Sequence, residues 1–362
     1  MKKFLSLVLA LVMTMSLVTV SAGAKDFTDS SKITYSEAVD VMSAVKVIDG
    51  YAEGDFRPTA TLTRGAAAKI ICNLILGPTT AGALVADAAP YKDVPTNNTF
   101  AGYIAYCQKE GIISGYADGT FRPANSLTGY AFMKMLLGAL GYDAEVEGYT
   151  GPNWSVNVAK RALNIGLADD LNGEFNGVKA VNREEACLYA LNTLTADMVE
   201  YDAKTTVSTN GTTVVIAGSK AKEMVNNGNT DGKIFGKDGV MQFAEKYFDN
   251  LTVKTGSDDF SRPANVWKVK AEEIGTYTNT PDASYTKKVE VGDIYKDLGL
   301  GSKIEKKNVS VYVDGVANAS QPAYAITKGD DANKYGDNGV LTEVFYDDDA
   351  ETVTITEINT YI

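Results

Sequence analysis

The stretch GYAEGDFRPTATLT at 50–63 returns as GYADGTFRPANSLT at 115–128, sixty-five residues on, with nine of fourteen positions identical. A chain that repeats itself at such a period folds as an array of like units, each too small to bury a core alone. The segment after each loop repeats as well. From Thr63, offsets +4, +7, +8 and +12 carry Ala67, Ile70, Ile71 and Ile75; from Thr128 they carry Phe132, Met135, Leu136 and Leu140. That spacing is one apolar face of an α-helix. Used as a probe, it finds a third, degraded copy, FNGVKAVNREEACLYALNTL, with Phe175 seven residues before Asn182 and Ala186, Tyr189, Ala190 and Leu194 at the same offsets.

Upstream of each loop a second helical pattern is predicted, in TYSEAVDVMSAVKVIDG, FAGYIAYCQKEGIISG and NWSVNVAKRALNIGLAD. The first two copies open with an aromatic two residues before an aspartate, in Phe27-Thr28-Asp29 and Tyr91-Lys92-Asp93. Each unit thus reads helix, glycine-rich loop, helix. Thr63, Thr128 and Asn182 are good N-caps, and Asn182 with Glu185 reads as a capping box. Gly54 and Gly119 follow an acidic residue at turns, and Pro58 and Pro123 break regular structure.

The 362 residues include no histidine, which excludes Ser-His-Asp and Cys-His catalysis and His-ligated zinc. Net charge is −12, and loss of Lys2 and Lys3 would take it to −14, so neither nucleic acid nor an anionic membrane surface is an expected partner. Lys2-Lys3, the apolar run 4–20 and Ala22-Gly23-Ala24 read as a secretory signal peptide over 1–24; a retained anchor is the alternative. Cys72, Cys107 and Cys187 each fall inside an apolar helical pattern and read as buried free thiols. So few cysteines in a secreted chain suit a Gram-positive source.

The repeats resemble the S-layer homology (SLH) domain, a motif of roughly F-x-D, helix, G-I-I-x-G-Y-x-D-G-x-F-R-P, then I-T-R-A-E opening a second helix. The second copy carries GIISGYADGTFRP, the first VIDGYAEGDFRP and LTRGAA, and the third VNREEA. The resemblance covers about 25–201. It implies an all-α, pseudo-threefold SLH unit of three repeats (25–88, 89–150, and a degenerate 151–201), and the chain reads as multidomain, with a β-rich region after that unit. It further implies non-catalytic cell-wall anchoring, by binding an anionic, pyruvylated secondary cell-wall polysaccharide attached to peptidoglycan. No cofactor or metal is implied, and self-association in a surface layer is open. Carried over by position, the polymer-binding residues are Arg64 and Arg183, the motif arginines, with Thr63, Asn182, Gly50, Tyr51, Gly115 and Tyr116. The helix N-terminus is expected to offer free N–H groups and a positive dipole end to a carboxylate, the arginine its two-pronged recognition, and the glycines room for sugar hydroxyls. For Tyr51 and Tyr116, packing stands as an equal reading. Arg57 and Arg122 read as structural ion pairs with neighbouring acids. The second copy departs from the motif, with Gly129 where the arginine belongs, so at most two good grooves are expected and Gly129→Arg is expected to strengthen binding.

After Tyr201 the composition shifts to Gly, Asn, Thr, Asp and Lys. Residues 202–280 read as a linker or mixed segment and 281–362 as a β-rich domain, for which a sandwich is one arrangement. Strands are predicted at 212–218, 287–297 and 308–317, a hairpin at 341–362, and a short helix at 240–251. DANKYGDNG at 331–339 fails as a calcium loop because Tyr335 and Thr342 hold ligand positions, and reads as a solvated turn. GNTDGK at 228–233 is too short for a P-loop. No function attaches to DDFSRPANVW at 258–267. The chain stops in what reads as a strand, which suits a fragment of a longer surface protein as well as a complete one. Two alternatives to a surface-layer component stand: an adhesin binding glycans, and an anchored polysaccharide hydrolase whose catalytic part is 203–362 or missing.

Overall fold

The structure, a computed structural model, describes residues 27–202, 205–209, 212–216, 220–317 and 320–359, with backbone alone for 205–209 and 212–216. The signal peptide expected at 1–24 lies outside them. The N-terminal part is helical and the C-terminal part carries the larger sheet. Two compact units divide the chain: 23–253 with 268–274, and 254–267 with 275–362.

The first unit opens with the helices α1 (Ser36–Ala44), α2 (Arg64–Gly82), α3 (Ala101–Lys109), α4 (Gly129–Ala139), α5 (Trp154–Asn164) and α6 (Arg183–Thr195). Three of these starts follow the expected capping residues. Thr63 Oγ1 accepts from Ala66 N at 3.2 Å, and Thr128 Oγ1 from Ala131 N at 3.4 Å. Asn182 and Glu185 form the full capping box. α2 kinks at Gly77, whose φ of +72° precedes Pro78. The helices pack in pairs, α2 with α3, α4 with α5, and α6 with α1, so the last pair returns to the first helix.

The residue before each cap ties the pairs together. Leu62 N donates to Val181 O at 2.8 Å, Val181 N to Leu127 O at 2.9 Å, and Leu127 N to Leu62 O at 2.9 Å. The three form a closed hydrogen-bond ring, and their side chains are buried. Phe56 and Phe121, also buried, pin the loops beside it; their rings lie 5.2 Å from Phe27 and 5.3 Å from Tyr91. These contacts explain the aromatic of the F-x-D opening: it packs on the loop's own phenylalanine.

This unit does not stop at Tyr201, where the composition changes. Residues 196–202 and 220–253 continue it: Val199 N donates to Leu140 O, Met198 N to Met241 O, and Phe243 N to Ala196 O. Strand β1 (Val199–Glu200) pairs with β4 (Lys222–Glu223), with the hairpin β2 (Thr205–Thr209) and β3 (Thr212–Ile216) between them. The expected short helix is α7 (Phe243–Tyr247), packed on α6 and α2. The compact unit therefore ends some fifty residues beyond the boundary read from composition. The packing of α7 on α6 and α2 and the bond from Val199 N to Leu140 O tie this stretch to the helices, which composition does not register.

The three-stranded sheet β5 (Leu251–Ser257), β6 (Pro263–Val269) and β7 (Glu272–Thr278) holds the points at which the chain changes unit. The second unit adds β8 (Ala283–Tyr285), β9 (Val289–Glu290), α8 (Val291–Asp297), β10 (Val309–Val313), β11 (Val316–Ala317), β12 (Lys334–Tyr335), β13 (Leu341–Asp347) and β14 (Thr352–Ile358). Five strands form one mixed sheet in the order β11-β10-β14-β13-β8, with β10 parallel to β14. The expected hairpin at the C-terminus is β13–β14, and Asp314-Gly315, at φ 47° and 80°, makes the tight turn between β10 and β11.

Val311, Ile355 and Val344 lie side by side in the register and share a core with Val291, Ile294, Ile304, Ile326 and Tyr335. That core is closed by α8, the two-stranded pair β9–β12 and loops, which together are less than the full second sheet of a sandwich. The strand expected over 287–297 is instead two residues of strand followed by α8. Val291 and Ile294 are buried three apart, with Asp293 in the first turn and Lys296 in the last, which suits the helix dipole. In the 331–339 stretch, Asp330 accepts from Ala332 N, Asn333 N and Asn333 Nδ2, and Tyr335 is buried in β12. Among the described residues no His, Cys, Asp and Glu cluster is arranged to hold a metal.

Candidate functional site

The loop-to-helix junctions carry the expected site residues, and their geometry follows from the ring. Because each helix begins beside a neighbouring copy's loop, the motif arginine reaches into that copy. Arg64, first residue of α2, donates from Nε to Phe121 O at 2.8 Å and from Nη2 to Ser114 O at 3.2 Å. Its guanidinium sits 4.3 Å from the Phe121 ring centroid and 5.1 Å from that of Tyr116. Arg183, first residue of α6, repeats this in the first loop: Nε to Phe56 O at 2.9 Å, Nη2 to Asp49 O at 2.7 Å, with the guanidinium 4.7 Å from Phe56 and 4.8 Å from Tyr51.

Each tyrosine meets a second guanidinium. Arg122 lies 4.1 Å over Tyr116 and pairs with Asp118 at 2.9 Å. Arg57 lies 4.0 Å over Tyr51 and pairs with Asp55 at 2.7 Å and Glu53 at 3.3 Å. The ion-pair reading of Arg57 and Arg122 thus matches the structure. Both residues have positive φ, 58° and 60°. Asp29 and Asp93 stabilise that backbone: Asp29 accepts from Phe56 N and Arg57 N at 2.7 and 2.8 Å, Asp93 from Phe121 N and Arg122 N, both at 2.7 Å. Burial acts upward on both carboxyls, yet these backbone bonds prevail and hold them below the ordinary aspartate value. The spacing from F-x-D to F-R-P, shared by the first two copies, therefore has a local physical purpose, which is to fix the strained turn that aims Arg57 and Arg122.

The third junction differs. Gly129 opens α4, and Tyr130 fills the space, its ring 6.0 Å from Phe175 and 6.4 Å from Trp154. A Cβ on Gly129 would lie 3.1 Å from Gly177 Cα and 3.2 Å from the Phe175 ring. An arginine at this position has first to push Gly177 or the Phe175 ring aside by a few tenths of an ångström.

The expected free N–H groups at the helix starts are corrected. Arg64 N donates to Asn125 O and Gly65 N to Pro123 O, both at 2.9 Å; Arg183 N donates to Ala60 O and Glu184 N to Pro58 O; Gly129 N donates to Lys179 O and Tyr130 N to Gly177 O. With the caps taking the next N–H, the helix N-termini are spent on inter-copy bonds. An anion arriving here is met by side chains. Thr63 and Asn182 are likewise engaged as caps. Gly50 and Gly115 have a packing reason to be glycine: a Cβ on either would strike the ring of Phe27 or Tyr91.

Of the eight expected residues, Arg64, Gly115 and Tyr116 line one cleft of about 420 Å3, within the range of small-ligand sites. Tyr116 is 41 % exposed, and Tyr51 at the equivalent junction 40 %. Burial lowers the Arg64 pKa while Tyr116 and Tyr91 oppose that; a guanidinium remains charged throughout. Lys134 of α4 and Trp154 of α5 also line the cleft and were not singled out from sequence. Lys134 occupies offset +6 from Thr128, the flank of the predicted apolar face, and that position was the one signal the residues offered.

Residues 26–68 and 90–129 match the family model described as "S-layer homology domain". The chain is similar to a "Surface layer protein" of Brevibacillus choshinensis, 25 % identical over 91 % of this chain and 32 % of that protein. It is similar to a "Middle cell wall protein" of Brevibacillus brevis, 25 % identical over 55 % of this chain and 19 % of that protein. An "Endoglucanase" of a Bacillus species is 26 % identical over 48 % of this chain and 20 % of that protein. The chain thus spans a third or less of these relatives' lengths. No helix among the described residues is long and apolar enough to cross a membrane.

Proposed function

We propose that this chain is a cell-surface protein held non-covalently at the wall by three SLH repeats in a pseudo-threefold unit. The third repeat is the segment carrying α5 and α6; what supports counting it is the closed ring of Leu62, Leu127 and Val181 and the cyclic pairing of the helices. The ligand is an anionic secondary wall polysaccharide, with a pyruvate ketal as the acid group. The observation that carries this reading is the arrangement found twice: a motif arginine anchored on two loop carbonyls, beside a half-exposed tyrosine, at Arg64–Tyr116 and Arg183–Tyr51. A cation beside an aromatic face is a suitable reception for an acidic sugar, since it combines charge with a flat apolar wall. The protein's acidity is no obstacle, because attraction at contact range is local and salt screens the distant charges over about 10 Å.

The second unit is proposed to be displayed, with self-association in a surface layer as its role, and the whole is proposed to be non-catalytic. The test is retention of the Arg64→Ala, Arg183→Ala double variant on cell walls. Retention should fall at least tenfold while thermal unfolding stays cooperative. Undiminished retention in a folded double variant would remove the clefts from the account.

A further inference from the structure

The Arg64 cleft holds a second cation with nothing to pair with. Lys134 lies half-buried on α4 with its Nζ 5.7 Å from the Trp154 ring centroid, and burial lowers its pKa with no nearby carboxylate opposing. Among the described residues it has no ion-pair partner. Lys69, at the same offset from Thr63 in α2, is exposed to solvent. Arg64, by contrast, has already committed Nε and Nη2 to Phe121 O and Ser114 O. A half-buried lysine costs stability unless an anion repays its lost hydration. Its three N–H donors are the least engaged charged group facing the cleft.

We propose that Lys134, seated against Trp154, takes the ligand's carboxylate in the Arg64 cleft, and that it makes this cleft selective for an acidic sugar. Arg64 then acts chiefly as the strut joining α2 to the second loop, and its remaining N–H groups serve sugar hydroxyls. This rests on the wall-binding reading and deepens it: it assigns the anion to a residue outside the motif, in the Arg64 cleft.

The experiment measures sedimentation of the secreted full chain with purified cell walls. It compares wild type, Lys134→Met, Lys134→Arg and the control Lys69→Met. It also compares untreated walls with walls whose carboxylates have been converted to amides by carbodiimide and a neutral amine. A charged hydrogen bond of ordinary strength predicts a loss of about tenfold or more for Lys134→Met. Lys134→Arg should retain most binding, Lys69→Met all of it, and amidated walls should lose the wild-type protein. Full binding by Lys134→Met, or loss in Lys134→Arg equal to that in Lys134→Met, overturns the assignment while leaving wall binding intact. Undiminished wild-type binding to amidated walls overturns the carboxylate and points to a phosphate. A wild-type protein that fails to sediment with untreated walls overturns this inference and the wall-binding reading together.

Discussion

Two junctions of the helical unit carry an arginine between a tyrosine and a phenylalanine, and the third carries a glycine and a tyrosine ring. The backbone is the same at all three: the first two N–H groups of α2, α4 and α6 each donate to a neighbouring copy's loop. Only the side-chain filling differs. Backbone complementarity therefore holds the ring together, and the arginines are additions to it that the third junction does without. The loop most easily recognised in the sequence, 115–128, receives an arginine from α2, whereas its own helix, α4, supplies none.

Removing the phenylalanine that seats each arginine should have the largest effect. Phe121→Ala and Phe56→Ala each delete a fully buried side chain and should cost about 3–5 kcal/mol in denaturant unfolding. If Phe121→Ala proved nearly neutral, the loops would not be pinned as described. Breaking the comparison from the other side, Gly129→Arg should destabilise by about 1–3 kcal/mol through overpacking against Gly177 and Phe175, without gain in wall binding. A gain in binding at unchanged stability would mean that the third junction can hold an arginine after all.

The pH dependence sharpens the difference between the first two copies and the third. Asp29 and Asp93 have folded-state pKa values below the ordinary one, so the stability they contribute is complete above the unfolded value, about 3.9, and is lost as pH falls through the folded value. Between α5 and α6, Asn176 serves its own turn, accepting from Val178 N and Lys179 N. Asp93→Asn should therefore lower the unfolding midpoint at neutral pH, with the gap to wild type closing below about pH 4. A gap that does not depend on pH would contradict the charged Asp93 as the turn's anchor. The smallest effect belongs to Arg122→Ala, whose ion pair with Asp118 is exposed: at most about 1 kcal/mol in stability.

Much of this was legible in the residues. The caps Thr63, Thr128 and Asn182 and the apolar helix faces follow from spacing, because they are local. What was not legible is what depends on a neighbour. That Gly50 and Gly115 are held to glycine by Phe27 and Tyr91 is set across some twenty-five residues of chain. That the helix N–H groups are spent is set across copies. Residues 291–297 misled for another reason: Val289 and Val291 alternate like a strand, whereas Val291 and Ile294 are three apart like a helix, and so short an apolar run fits either period. The stretch 258–267, to which no role attached, contains a buried ion group. Arg262 bridges Asp258 at 2.6 Å and Glu343 of β13 at 3.4 Å, with the side chains 2 %, 7 % and 1 % exposed. Its partner lies eighty-one residues away, beyond the reach of pattern.

The most direct test of wall anchoring is sedimentation of the full secreted chain with cell walls, before and after acid removal of the pyruvylated polysaccharide. The account predicts retention on intact walls and its loss on stripped peptidoglycan. Equal retention on both would contradict it.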